Sequence, residues 1–204
     1  MSEIQPKELT REDAQKIMES PGEVRGVSIK PNWEFLFEKQ GDKANVLEKE
    51  FERVGYPFPF KDIRPMKFYP IGYDMLFFAL SKRVLNLSNQ DFFDMGVYGA
   101  KTSFFLKVAL RYFVSPSDVL KQAPSLWKKY YTIGSISVVE EDIQNHRIVF
   151  YLLDFSGPYE RSFCHNFRAY LATILHLVLG VRTVCEETKC SFEGGSHHEF
   201  VITW

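Results

Sequence analysis

Four side chains in the C-terminal part of the chain have the types and spacing to hold a metal ion. They are Cys164, Glu187, Cys190 and His198, separated by 23, 3 and 8 residues. Two thiolates, an imidazole and a carboxylate form a donor set that suits tetrahedral Zn²⁺. Convergence makes demands on the fold. Cys164 has to open a helix, where the macrodipole stabilises a thiolate. Glu187 and Cys190 fall on opposite faces of a regular strand, so the strand must end or bulge near Thr188. Gly194-Gly195 must then turn the chain so that His198 returns opposite Cys190; His197 is the rival if the register slips by one. Four protein ligands leave no open position for water, so such a site is structural. The same residues also fit buried free cysteines and an exposed histidine pair, since the chain has no CxxC.

Other reactive types read more simply. Cys185 reads as a small core residue. His176 lies among leucines on a long helix, where a haem-ligating role competes with a hydrogen-bonded surface role. His165 reads as a capping or supporting residue beside Cys164, and His146 as a solvated turn residue. There is no GxSxG, Walker or GxGxxG motif. The stretch Val97 to Ser103 lacks the glycine spacing of a phosphate loop. Glu140-Glu141 and Glu186-Glu187 read as solvated edges. No residue is assigned a catalytic role, which points away from an enzyme.

The elements that must position these groups are legible from patterning. Thr10 and Asp13 form a capping box for a short first helix ending near Ser20-Pro21-Gly22. Residues 22–31 read as a loop, followed by a short aromatic run from Trp33 to Phe37. Ala44 to Val54 is an amphipathic helix, and the proline-dense stretch 56–65 a linker. Further helices are expected over Pro70 to Leu85, after the cap Ser88, over Ser103 to Phe113, and from Ser115-Pro116 onward with a break at Pro124. Thr132 to Glu140 alternates and Arg147 to Phe155 carries a continuous apolar run, together reading as a β-hairpin. A long helix from Phe163 to Leu179 ends at Gly180 as a left-handed cap. Val181 to Lys189 and His198 to Trp204 are the last strands. The fold class is therefore α+β: N-terminal helices packed on a mostly antiparallel sheet, with a C-terminal ββαββ unit. Residues 1–61 read as an N-terminal helical accessory segment and linker, and 62–204 as a ligand-binding domain.

Composition narrows the function. With 25 basic and 26 acidic residues, nothing favours nucleic acid. The apolar run Leu171 to Leu179 is far short of a bilayer span. A polar N-terminus and three cysteines imply a cytoplasmic protein with thiols or metal ligands rather than disulfides. Nineteen phenylalanines supply either a bulky core or a ring-lined cavity.

The residues Cys164-His165, Arg168-Ala169-Tyr170, Glu186 to Cys190, Gly194 and Phe200-Val201 resemble the 4-vinyl reductase domain. The resemblance covers roughly residues 130–204, and 65–130 in helix pattern only. The wider superfamily holds haem-based nitric-oxide sensors and transport-particle (TRAPP) tethering subunits. Related phenol-responsive sensor domains hold zinc with one early Cys, a Glu and two later Cys. By position these are Cys164, Glu187, Cys190 and His198, the last standing where the family has cysteine. The resemblance implies a non-catalytic sensor domain with a structural Zn²⁺. It would bind a small hydrophobic or aromatic ligand and signal through a homodimer or a partner protein. Phe77, Phe105, Trp127, Phe150 and Tyr170 are the expected pocket lining. The alternatives are a scaffold module like the tethering subunits, or an accessory protein of tetrapyrrole metabolism.

Overall fold

The computed structural model describes residues 8–103, 116–157 and 159–204. The expected helix over Ser103 to Phe113 and the pocket residue Phe105 lie outside the described residues. The architecture is α+β. The helices are α1 (Arg11–Met18), α2 (Gly26–Gln40), α3 (Lys43–Arg53), α4 (Ile71–Arg83), α5 (Asn89–Thr102), α6 (Pro116–Tyr130) and α7 (Ser162–Leu179). The strands are β1 (Glu23–Arg25), β2 (Phe68–Pro70), β3 (Ser135–Asp142), β4 (Arg147–Leu153), β5 (Val184–Lys189) and β6 (His198–Thr203). β1 and β2 form a small antiparallel ribbon. The other four form one antiparallel sheet in the order β3-β4-β6-β5, and the C-terminal half reads β3-β4-α7-β5-β6.

Local chemistry explains most boundaries. Thr10 with Asp13 and Ser88 with Asp91 both close capping boxes, in which each side chain accepts the other residue's backbone N–H. Gly180 ends α7 with φ +71, a left-handed cap whose N–H bonds the His176 carbonyl. Two stretches differ from the sequence reading. Residues 26–40 are one helix rather than a loop and an aromatic run. Pro31 sits near the start of that helix, where a missing N–H removes a single bond. The helix buries Ile29, Asn32, Trp33 and Leu36 on one face, with Phe35 at its edge, but Gly26, Pro31 and the polar Asn32 interrupt the apolar pattern by which a helix is recognised. α6 also runs through Pro124 without breaking.

α4 is the central element. From Ile71 to Ser81 every residue except Tyr73 is buried. One hydrophobic cluster runs from Leu9 to Ile202 and takes in residues from both the N-terminal helices and the sheet. α5 lies close against α7 because Gly96 has no side chain: a Cβ there would collide with the Asn166 backbone carbonyl. None of the described helices is long and apolar enough to cross a membrane.

Candidate functional site: a donor cluster beside an aromatic cavity

Cys164 is the third residue of α7, and fully buried. Glu187 lies on β5, and the register of β5 against β6 shifts between Glu187 and Lys189. That bulge at Thr188 turns Cys190 to the face that carries Glu187. A short turn, Ser191–Glu193, follows, and Gly194 takes φ +91. The Gly195 N–H closes onto the Cys190 carbonyl at 2.9 Å, and β6 begins at His198.

These elements bring the four donors together, with one ligand atom from each within 4.8 Å of the others. The Cys164 sulfur lies 3.7 Å from the Cys190 sulfur and 3.7 Å from His198 Nδ1. His198 Nδ1 is 2.9 Å from Glu187 Oε1. The other ring nitrogen fixes the imidazole. Ser191 donates its hydroxyl proton to the Phe155 carbonyl at 2.8 Å, so its oxygen is free to accept from His198 Nε2–H at 2.6 Å. The Phe155 carbonyl lies 3.2 Å from the same nitrogen. Nε2 therefore carries a proton, and Nδ1 faces the cluster. Phe192 packs edge-on against the imidazole and Phe200 stacks parallel to it, which keeps the site dry.

Electrostatics follow from this packing. The hydrogen bond from Cys164 pulls the Cys190 thiol down to about 7, against burial. Cys164 moves the opposite way, first through that shared hydrogen bond and then through burial. Burial works against the Glu187 carboxylate, but its close contacts with His198, Cys164 and Cys190 outweigh it and hold its pKa below the ordinary value. Arg161 stands outside, 3.6 Å from Glu187 and 2.9 Å from Glu193.

The remaining reactive residues lie elsewhere. His197 stacks on Tyr151 and accepts from or donates to Ser196. Cys185 is buried opposite Ile202. His165 Nδ1 has no hydrogen-bond partner among the described residues. His176 is exposed and bonds the Val181 carbonyl. His146 sits in the β3–β4 turn with φ +57 against Trp204.

Beside the cluster, along α7, lies a cavity of about 540 Å³. Its walls come from α2, α4, α6, α7 and the inner face of β3 and β4. Trp127, Phe150 and Tyr170 line it. Phe77 does not: it points into the core between Trp33 and Phe78, and the neighbouring Phe78 is the wall residue. Trp127 is held by its indole N–H on the Ile133 carbonyl at 2.9 Å and by stacking on Tyr131. Sequence reading missed the polar end of this cavity, where Asp74, Asn32 and Asn166 are strung together by side-chain hydrogen bonds.

No family model and no characterised protein matches the chain by sequence. Solved structures do share its fold. An H-NOX protein from S. oneidensis in the Fe(II) state superposes with a TM-score of 0.65 at 14% identity, over 88% of this chain and 95% of its own. The Fe(II)NO state of an H-NOX protein from S. oneidensis gives 0.63 at 14% identity, over 88% and 98%. A structure from work on heme distortion in the H-NOX family gives 0.60 at 16% identity, over 89% and 95%. The phenol-responsive sensory domain of the transcription activator PoxR aligns over 62% of this chain and 69% of its own, at 18% identity and a TM-score of 0.47. At identities this low the H-NOX matches establish a common fold and nothing further.

These neighbours overturn Zn²⁺ as the expected cofactor. The group associated with this fold in them is heme, and this chain itself offers a cluster of Cys, Glu and His donors. Among the described residues the cavity does not fit a heme held by histidine or cysteine either. No histidine or cysteine is among its lining residues, and residues 104–115 contain neither type. Its half-buried phenols, Tyr131 and Tyr170, are pushed up in pKa, chiefly by loss of solvent.

Proposed function

We propose that residues 62–204, with residues 1–61 as an N-terminal helical segment, form a non-catalytic binding domain, similar to the 4-vinyl reductase domain, for a small hydrophobic or aromatic molecule. The observation that carries this reading is the ring-lined cavity of about 540 Å³. It has the size and apolar lining typical of small-molecule sites. The shared fold with H-NOX proteins is in keeping with a sensor role. The second part of the proposal is that Cys164, Glu187, Cys190 and His198 hold a thiophilic metal ion. Such an ion would tie the start of α7, which forms one cavity wall, to the β5–β6 hairpin. A closed four-ligand site would be structural. Ligand occupancy would be read out through a second copy of the chain or a partner protein.

The test is thermal unfolding of purified protein against a panel of small aromatic molecules and fatty acids. A ligand at 100 times its Kd stabilises by roughly 2.7 kcal/mol, which raises Tm by about 5–10 °C in a domain of this size. A rise with one chemical class supports the binding reading. A flat response across the panel contradicts it and favours a scaffold module. Light scattering with and without the active compound then reads out self-association.

A further inference from the structure

Asp74 is the most anomalous residue in the cavity wall. It is 1% exposed, in the most deeply buried helix of the fold. Its carboxyl has one hydrogen-bond partner among the described residues, Asn32 Nδ2, at 3.4 Å. That distance is at the weak end of hydrogen bonding. It sits in the first turn of α4, and among the described residues it neither pairs with a cation nor caps a backbone N–H. A buried carboxyl with so little hydrogen-bond compensation works against folding.

Its surroundings read as one end of a binding site. Asn32 is itself 5% exposed, and its oxygen accepts from Asn166 Nδ2 at 3.3 Å. The amide is thus held with its N–H₂ toward Asp74. The half-buried Tyr131 phenol and Ser28 lie close by, the phenol near enough to feel the Asp74 charge. Most of the rest of the wall is apolar or aromatic, including Phe78, Trp127 and Phe150, with Lys30, Glu34, Thr102 and Ser103 also on it. A cavity of this kind has one acceptor-rich pole and one apolar body.

We propose that Asp74 is the specificity-determining residue of this cavity, accepting a hydrogen bond from the N–H or O–H head of an otherwise apolar, ring-sized ligand. This rests on the cavity being the binding site. An amine head would also place a positive charge among aromatic faces, which attract it. A hydroxyl head would satisfy the carboxyl without charge. A donor-free molecule of the same shape would leave Asp74 unpaired, and sites built for a donor reject such analogues.

The experiment is calorimetric titration of the full chain with benzylamine, phenol and ethylbenzene, repeated on Asp74→Leu and Asp74→Asn. In the wild type, at least one donor-bearing compound binds ten-fold or more tightly than ethylbenzene. In Asp74→Leu that ratio falls to about one, while the ligand-free variant melts at or above the wild-type temperature. Asp74→Asn loses the preference for benzylamine and keeps part of that for phenol. Benzylamine over phenol identifies the amine head; the reverse identifies the hydroxyl. Ethylbenzene binding as well as the donors, or a preference that survives Asp74→Leu, overturns the inference and leaves the cavity reading standing. Failure of all three compounds, ethylbenzene included, counts against the cavity as a ring-binding site and removes the inference with it.

Discussion

At the scale of single residues, the donor cluster depends on one imidazole being held in one tautomer. Ser191 and the Phe155 carbonyl fix the proton on His198 Nε2 and leave Nδ1 for the cluster. Outer partners of this kind commonly account for 10–100-fold in metal affinity. Ser191→Ala should therefore weaken metal binding by roughly that factor in a chelator competition, without loss of fold. Cys190→Ser should remove the metal more completely. After metal-replete purification the wild type should carry about one equivalent of a thiophilic ion and the variant close to none; equal, negligible loading in both would dismiss the site. Much of this geometry was legible before any coordinates. The spacing of Glu187 and Cys190 demanded that the strand end or bulge near Thr188, and a register shift lies there. Asp74 was not legible, because a lone carboxylate in a helix ordinarily faces water. The available signal was its position among Tyr73, Met75, Leu76, Phe77 and Phe78, which leaves α4 no wet face. Phe77 illustrates the opposite difficulty. Composition places rings near a cavity but does not say which of two adjacent rings turns inward.

At the scale of elements, the site depends on α7 being shared. Its first turn presents Cys164 to the cluster, and Phe163, Asn166, Phe167 and Tyr170 face the cavity. Its position is set by α5, which approaches closely enough that Gly96 cannot carry a side chain. Gly96→Ala should therefore force the helices apart. We expect a loss of about 1–3 kcal/mol in urea unfolding, and weaker ligand binding as the wall moves. A stability change near zero would show that α5 can shift freely. Capping boxes, the Gly180 stop and the strand alternation of the sheet were all readable, because each is a local signal. α2 was not, since Gly26 and Pro31 read as loop signals and Asn32 puts a polar residue on its buried face.

At the scale of the whole molecule, a cavity and a buried acid together make stability depend on pH. Burial pushes Asp74 up to about 7 from 3.8, with Asn32 acting the other way. The folded state thus holds a proton that the unfolded state has released between those values. Stability contributed by this group falls as pH rises from about 4 to 7 and is level above that, with a full cost on the order of 4 kcal/mol. Asp74→Asn should remove that slope. Its advantage over the wild type should grow across that window in urea unfolding at successive pH values, and a constant difference would mean the carboxyl is better solvated than its burial implies. The measurement that bears most directly on the central claim is calorimetric binding of the best aromatic ligand to wild type and to Ala123→Phe, which fills the cavity from α6. The account predicts one site per chain in the wild type and none in the variant, with the variant folded and at least as stable. Undiminished binding to Ala123→Phe would contradict it.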